Sequence, residues 1–139
     1  MSGGNHTIPE TIGFIRETDR RGLCFGGWPD SILEIYLQWH HQNGSLVLVE
    51  EEGDVVALAV GTQMSEDDLD KHWVPWDEQG DSVYVSDLMA KTRGGMAACV
   101  DELNNRCKQW RDLKLFALRH GKRKRFSHKV FEKLWCAER

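Results

Sequence analysis

The stretch from Ser82 to Leu118 constrains the fold more strongly than any other part of the sequence. It contains a strand at Ser82–Ala90, a basic glycine turn, a helix at Met96–Trp110 and a second strand at Leu113–Leu118. Two strands of one sheet that are joined by a helix lie parallel, and the crossover is right-handed in nearly all proteins. The stretch therefore predicts a parallel strand–helix–strand unit.

An apolar hairpin comes before this unit. Ser45–Glu51 and Val55–Gln63 are rich in valine and leucine, and only Glu52-Gly53-Asp54 separates them. So short a connection predicts an antiparallel pair. Together with the parallel unit, the hairpin predicts a mixed, mainly antiparallel twisted sheet.

The remaining apolar periodicity is helical. It predicts helices at Pro9–Arg20, at 30–43 and at Arg125–Trp135. The chain has 139 residues, which is the usual size of one domain. We therefore expect residues 1–139 to form a single α/β domain with helices on both faces of the sheet.

The helix at 30–43 carries the clearest signals. Asp30 or Ser31 is the expected N-terminal cap, and Asn43-Gly44 is the expected end. Its apolar residues recur at spacings of three, four and seven, which predicts that they form the buried face. These residues are Ile32, Ile35, Tyr36 and Trp39.

Composition and motifs exclude several classes of protein. Hydrophobic residues make up 40% of the chain and charged residues 29%, as in soluble globular domains. No apolar run approaches the roughly 20 residues of a membrane span, and the N-terminal residues lack the features of a secretory signal, so we expect a cytoplasmic location. The four cysteines form no CxxC pair, and no zinc-ligand spacing is present, so we expect neither a disulfide framework nor a metal site.

Charge is distributed unevenly along the chain. Glu50–Asp87 holds twelve acidic residues against Lys71 alone, whereas Arg106–Arg139 holds twelve basic residues against three acidic ones. Within the acidic part, Ser65–Asp81 predicts a long loop with one helical turn after Ser65. Its carboxylates and two tryptophans suit an amine-bearing or basic partner, or else form a solvated loop that the tryptophans pin to the body.

The basic run Arg119–Arg125 is the densest charge in the chain. It suits phosphate groups, either of a small ligand or of a nucleic acid backbone. Only Phe126 is near enough to stack on bases, so sequence-specific reading of a nucleic acid is not expected. The alternative is that both charged regions are solvated faces. Six tryptophans in so small a chain also suit large apolar contacts, in the core or in an oligomer or larger assembly.

The turn Lys91–Gly95 lies where a strand ends and a helix begins. The first N–H groups of a helix lack partners within it and carry the positive end of the helix dipole. Glycine lets an anion approach the backbone closely, and Lys91 and Arg93 add positive charge. The turn is a candidate phosphate site, although two glycines before a helix also form an ordinary tight turn.

Two short motifs resemble the GNAT N-acetyltransferase superfamily. Gly95-Met96-Ala97 matches the G-x-A part of that family's R/Q-x-x-G-x-G/A pyrophosphate turn, with Thr92 in the R/Q position and Arg93 one residue late. Phe131–Leu134 (FEKL) resembles the family's YEKL sequence on a later helix. The order of elements is also similar, including the hairpin as the second and third strands.

The resemblance implies an acyl-CoA cofactor, acetyl-CoA in the first instance, and transfer of the acetyl group to an amine. The parallel strands would splay apart to make the cleft. The pantetheine arm would lie along the backbone of Leu88, Met89 and Ala90. The pyrophosphate would sit at Arg93, Gly94, Gly95, Met96 and Ala97, and the later basic run would suit the 3′-phosphate.

Acyl transfer to an amine needs a base and a proton donor. Asp87 is the first candidate for the base or for orienting the amine, and its structural alternative is a strand-end cap. His120, which titrates near neutral pH, and Ser127 or His128 are the further catalytic candidates, the last two if the final helix faces the cleft. At the position of the family's usual tyrosine donor this sequence has Phe131, or Ser127 if the helix is shifted by four residues.

The sequence ends at Arg139, before the family's final strand pair, so we expect a C-terminally shortened form. Shortened GNAT-like proteins are encoded by phages; some are enzymes, such as the Mom DNA-modification proteins, and others are built into virions. Two alternatives to an acyltransferase follow. One is a catalytically silent structural or interaction protein, located in the virion if a phage encodes it. The other is a nucleic-acid-associated modification protein.

Overall fold

The computed structural model describes residues 7–19, 27–69, 71, 73–107, 109–119, 122–127 and 129. The helices in these ranges are α1 (Thr7–Thr18), α2 (Asp30–Asn43) and α3 (Arg93–Arg106). The strands are β1 (Leu46–Glu51), β2 (Asp54–Met64), β3 (Ser82–Ala90), β4 (Lys114–Arg119) and β5 (Lys122–Phe126). No helix in this part of the chain is long and apolar enough to cross a membrane.

The five strands form one mixed sheet. Their order is β1-β2-β3-β4-β5, so strands that follow one another in the sequence are neighbours in the sheet. β3 and β4 pair in parallel with α3 as their connection, and the three other neighbouring pairs are antiparallel. The predicted parallel strand–helix–strand unit and the mainly antiparallel character of the sheet are both confirmed.

A two-residue turn closes the β1–β2 hairpin. Glu52 and Gly53 both have positive φ, at 53° and 86°. Positive φ at both central positions matches the right-handed twist of the strands, and glycine adopts it without steric cost. The predicted antiparallel hairpin is confirmed, with Asp54 belonging to β2 rather than to the turn.

Helices pack on both faces of the sheet, as predicted. α1 and α2 cover one face, where Leu58 of β2 joins their core. α3 covers the opposite face, where Ala57 and Ala59 of β2 lie in a core with Cys99. Because successive side chains of a strand point to opposite faces, β2 contributes to both cores and is buried along nearly its whole length.

The buried face of α2 differs from the prediction. The helix buries Leu33, Tyr36, Leu37 and His40. Ile32 and Ile35, which the spacing assigned to the core, are 44% and 59% exposed. Apolar residues occupy two adjoining sides of this helix, so periodicity alone did not decide which side meets the sheet.

The start of α2 also differs from the prediction. Pro29 occupies the N-cap position and makes no side-chain hydrogen bond there. Instead of capping the helix, Asp30 forms an ion pair with Arg16, whose Nη2 lies 2.6 Å from Asp30 Oδ1. Gly44 ends the helix as predicted, with a φ of 79°.

The predicted helix Arg125–Trp135 is wrong at its start. Arg125 and Phe126 belong to β5, which pairs antiparallel with β4. A hydrogen-bonded neighbour imposes strand geometry on a basic segment that has no strand periodicity of its own, because strand formation depends on context. Of the rest of that prediction, Ser127 and Lys129 alone are among the described residues.

Candidate functional site

The pairing between β3 and β4 ends part-way along both strands. It joins Ser82–Val85 to Lys114–Ala117. β3 then continues beside β2 to Ala90, while β4 continues beside β5. Among the described residues, β3 has no strand partner on its β4 side beyond Val85. We call residues 86–90 the open half of β3.

A β-bulge marks the start of the open half. The register between β2 and β3 shifts after Val60, which leaves Ser86 as an extra residue in β3. Val60 lies directly opposite Asp87, and opposed residues of an antiparallel pair share one face of the sheet. Val60 belongs to the core under α1 and α2. The bulge therefore directs Asp87 toward the layer formed by these two helices.

Two hydroxyl groups hold the carboxylate of Asp87, which is only 6% exposed. Ser86 Oγ donates a hydrogen bond to Asp87 Oδ2 at 2.9 Å. The hydroxyl of Tyr36, on α2, donates a second hydrogen bond to Asp87 and lies beside Ser86. We call Tyr36, Ser86 and Asp87 the Asp87 cluster. It ties α2 to the open half of β3.

The protonation state of Tyr36 follows from its surroundings. Burial raises the pKa of Tyr36 above its ordinary value, and the negative charge of Asp87 raises it further. The phenol therefore keeps its proton at neutral pH and donates it to the carboxylate in a hydrogen bond. Such a bond favours the ionised form of an acid.

Aromatic rings restrict Tyr36 on three sides. The ring centroids of Trp28 and Trp73 both lie 5.2 Å from that of Tyr36, in edge-to-face contact. The ring of His40, one helical turn further along α2, lies 4.4 Å away. His40 is itself fixed, because its Nδ1 lies 2.5 Å from Ser45 Oγ. The phenol ring is therefore held in place with its hydroxyl toward β3.

Sequence reasoning did not find the Asp87 cluster. It assigned Tyr36 to an apolar helix face and weighed Asp87 as a base or a strand-end cap. The cap interpretation is wrong, because Asp87 lies within β3 and the strand continues to Ala90. The one available signal was that tyrosine is rare in this chain, which has two. Nothing in the spacing of Tyr36 and Asp87 indicates that they touch.

The helix after β3 begins earlier than predicted. α3 starts at Arg93 rather than at Met96. Thr92 is its N-cap, and Thr92 Oγ1 accepts a hydrogen bond from the Gly95 amide at 2.9 Å. Because this cap stabilises the first helical turn, Arg93, Gly94 and Gly95 belong to the helix rather than to the predicted turn.

The two glycines of this first turn have different surroundings. A Cβ on Gly95 would lie 3.0 Å from Thr92 Oγ1 and 3.1 Å from Ala57 Cβ, so glycine permits the close approach of α3 to β2. A Cβ on Gly94 would come within 4 Å of Glu51 Oε1 alone, at 3.9 Å. Gly94 is exposed, and its amide has no acceptor within the helix. An anion therefore has room to approach the backbone at Gly94, whereas Thr92 and Ala57 occupy the space beside Gly95.

The other residues expected to contact a cofactor lie along this segment. Met89 is buried under α1 and α2. Arg93 is exposed. The half-buried residues are Leu88, Ala90, Met96 and Ala97. These residues are consecutive in the chain, but Met89 lies on the face covered by α1 and α2, whereas Leu88 packs on the core under α3.

Ser127 lies apart from this segment. It is exposed and follows a strand rather than forming part of a helix, and β4 lies between β5 and β3. It borders an open depression with Leu115, Arg125 and Phe126. Three more predicted positions lie outside the described residues: His120, His128 and Phe131.

The acidic loop 65–81 is attached to the body of the protein. It contains one helical turn of 3₁₀ type, Glu66–Asp68, as predicted. Trp73 packs edge to face against Trp39 of α2, and Trp76 packs on the core near the end of α3. The tryptophans therefore pin the loop, as one of the two alternatives expected. Binding of an amine or a basic partner there stays a prediction.

β5 places a row of positive charge at the edge of the described sheet. Lys122, Arg123, Lys124 and Arg125 are all exposed. They pair with Phe116–Arg119 of β4, and successive side chains lie on opposite faces. The basic run thus includes a strand with cations on both of its faces.

Within the described ranges, no three His, Cys, Asp or Glu side chains lie close enough together to hold a metal ion. Comparison with known proteins adds no assignment: no protein-family model matches the chain, and no curated protein matches its sequence. The α/β fold with its five-stranded mixed sheet is a structural finding. The GNAT-like assignment rests on the sequence motifs and the order of elements.

Proposed function

We propose that the protein is an acyl-CoA-dependent N-acyltransferase of GNAT-like fold that moves an acetyl group to an amine. The observation that carries the proposal is the end of the β3–β4 pairing at Val85, two residues before the buried carboxylate of Asp87. An open strand edge, a carboxylate and the first turn of a helix follow one another along this segment. These groups suit transfer from a thioester to an amine.

The open half of β3 fits the arm of a pantetheine. The N–H and C=O groups of an unpaired strand edge form hydrogen bonds to an extended chain laid beside them. Leu88, Met89 and Ala90 supply this edge. When bound, acetyl-CoA supplies the acetyl thioester with which the amine reacts.

The first turn of α3 fits a pyrophosphate at Gly94. Gly94 is exposed with open space on the side where a Cβ would be, and the first amides of the helix have no acceptor within it. Arg93 is exposed and adds positive charge. Gly95, Met96 and Ala97 form the rest of the turn. The carboxylate of Glu51 lies near Gly94 and has to turn away for an anion to bind.

Asp87 is the candidate base. An ionised carboxylate removes a proton from the attacking amine, or orients the amine by accepting its hydrogen. The low exposure of Asp87 keeps water from competing for that proton. For protonation of the leaving thiolate we propose His120, because β4 lies between Ser127 and the open half of β3. An amine acceptor is expected to approach along the acidic loop 65–81.

Thermal unfolding with acetyl-CoA tests the proposal. A ligand at 100 times its Kd adds about 2.7 kcal/mol to the free energy of unfolding. Gly94→Glu should abolish this effect, because its carboxylate would occupy the open space. Gly27→Glu is the matched control, since Gly27 is exposed and also has open space around it. Absence of any shift in the unaltered protein would overturn the function, and equal shifts in both variants would overturn the site.

Asp87→Asn tests the chemistry separately. With saturating acetyl-CoA and a panel of amines, the rate of acetyl transfer should fall by at least about 100-fold, as expected for loss of a general base. Stabilisation by acetyl-CoA should remain, because the substitution keeps the shape of the side chain. An unchanged rate in this variant would exclude Asp87 as the base.

A catalytically silent structural or interaction protein is the second candidate. The observation that favours it is an apolar surface on α2 and the adjoining loop, where Ile32, Ile35 and Trp73 are 44%, 59% and 43% exposed. This candidate implies an oligomer or larger assembly, such as a phage virion, rather than a cytoplasmic enzyme. Sedimentation should then show self-association that Ile35→Glu abolishes. A protein that stays monomeric and binds no acetyl-CoA would contradict both candidates.

A nucleic-acid-associated modification protein is the third candidate. The four exposed cations of β5 favour it. Binding to duplex DNA through phosphate contacts should weaken steeply as salt rises, because each contact releases a counterion. Affinity that does not change with salt would contradict this candidate.

A further inference from the structure

The mechanism proposed above gives no role to Tyr36, although its hydroxyl contacts the candidate base. Tyr36 is 3% exposed, and its hydroxyl reaches both Ser86 and Asp87. We infer that Tyr36 is a positioning residue that holds the Asp87 carboxylate ionised and in one orientation for proton removal. Tyr36 has this role only if the protein is the acyltransferase proposed above.

Three features of the site support the role. Ser86 Oγ donates to Asp87 Oδ2 at 2.9 Å, so the carboxylate has a donor within β3 as well as one from α2. The bulge at Ser86 turns Asp87 toward the helix that carries Tyr36. The rings of Trp28, Trp73 and His40 leave the phenol little freedom to turn away.

Tyr36 is unsuited to the other role that a tyrosine near a thioester would have, which is protonation of the leaving thiolate. Its pKa is raised above the ordinary value by burial and by Asp87. A thiol has a pKa of about 8.5, so proton transfer from this phenol to a thiolate runs uphill. Tyr36 therefore acts by keeping its proton and sharing it with Asp87.

The described ionisable groups beside the Asp87 cluster decide how a pH titration is interpreted. They are His40 on α2, which contacts the ring of Tyr36, and Tyr84 on β3. β2 places Val60, which is apolar, directly opposite. His40 is the one of these groups that ordinarily titrates near neutral pH, so its own titration is followed in parallel.

The test is the pH profile of Tyr36→Phe, which removes the hydroxyl and keeps the ring. A hydrogen bond to a charged group favours its ionised form, so the acidic limb of kcat/KM should move to higher pH by about 1–2 units. Activity at alkaline pH should return toward that of the unaltered protein. The carboxyl carbon of Asp87, followed by NMR without cofactor, should titrate at a correspondingly higher pH.

Two further variants keep the test decisive. Ser86→Ala removes the other donor without altering α2, and should shift the limb in the same direction even if Tyr36→Phe does not fold. Ser82→Ala is the matched control. It removes a buried hydroxyl of the same strand that contacts Asp81 rather than Asp87, and should leave the limb in place.

The outcomes separate the two proposals. If the unaltered protein transfers no acetyl group, the proposed function is wrong. If it is active but Tyr36→Phe and Ser86→Ala lower the rate equally at every pH, with the Asp87 titration unmoved, the positioning role is wrong and the contacts of Tyr36 are purely structural.

Discussion

The two halves of β3 are held in different ways. Residues 82–85 have a strand on each side and are buried. Residues 86–90 keep β2 as their described strand neighbour, carry a bulge with Ser86 and Asp87, and lead into α3. A segment with a strand on each side contributes stability, whereas the open half is where we propose that a ligand binds. The first half of β3 thus belongs to the stable sheet, and the second half belongs to the candidate site.

The largest expected effect is a loss of stability in residues 82–85, the paired half of β3. Phe116 of β4 is 8% exposed and packs with Tyr84 of β3. Phe116→Ala should lower the free energy of unfolding by about 3–5 kcal/mol, because it leaves a cavity in the core. Leu88→Ala, in the open half, should cost less than about 2 kcal/mol, because Leu88 is only half-buried. Urea unfolding measures both, and equal losses would contradict the difference between the halves.

The next largest effect on stability concerns Gly94 and Gly95, which follow the open half of β3. Gly95→Ala should destabilise by about 1–3 kcal/mol, since the new Cβ would lie 3.1 Å from Ala57 Cβ. Gly94→Ala should stabilise by up to about 1 kcal/mol, because alanine favours a helix and space is available. Chemical denaturation of the two variants should give opposite signs. The same sign in both would contradict the crowded and open surroundings described for them.

A pH-dependent effect concerns Cys99 of α3, which lies in one core with Val85 of the paired half. Burial raises the pKa of the Cys99 thiol from 9.0 to about 12. Its contribution to stability is complete below pH 9 and falls as pH rises through the unfolded value, because only the unfolded chain then loses the proton. By pH 10 the loss should be about 1.4 kcal/mol. Urea unfolding at pH 8 and pH 10 should show a smaller decline in Cys99→Ala than in the unaltered protein.

The smallest effect tests the junction of the open half with α3. Thr92→Ala removes the side-chain acceptor of the Gly95 amide and should cost about 1 kcal/mol. Thr92→Ser keeps the acceptor and should retain most of the stability. A thermal melt that does not distinguish these two variants would show that the cap contributes nothing to the helix.

The parts of the fold that were predictable depend on local signals. The β1–β2 hairpin follows from two apolar runs with a turn of Glu52 and Gly53 between them. The parallel arrangement of β3 and β4 follows from the helix that joins them. Gly44 ends α2 because it adopts positive φ without steric cost.

The candidate site was predictable in part. The glycine turn after a strand predicted an anion at Arg93–Ala97, the family resemblance added Leu88–Ala90, and Asp87 was predicted from its place near the end of β3; the roles of these residues stay predictions. The start of α3 was not predicted correctly, because the hydrogen bond of the Thr92 cap was not anticipated. The contact between Tyr36 and Asp87 was not predictable, because it depends on which side of α2 meets the sheet and on an extra residue in β3.

By itself, the sequence determined the kinds and order of the elements from α1 to β4 and the mixed character of the sheet, because alternation, turns and helix ends are set by residues a few positions apart. The tertiary structure alone decided that Ile32 and Ile35 face outward, that the basic segment Lys122–Phe126 joins the sheet, and that Tyr36 meets Asp87. Each of these depends on packing between segments that are distant in the sequence, because burying one surface of an element leaves another surface exposed. The spacing of residues along the chain does not show which surface is buried.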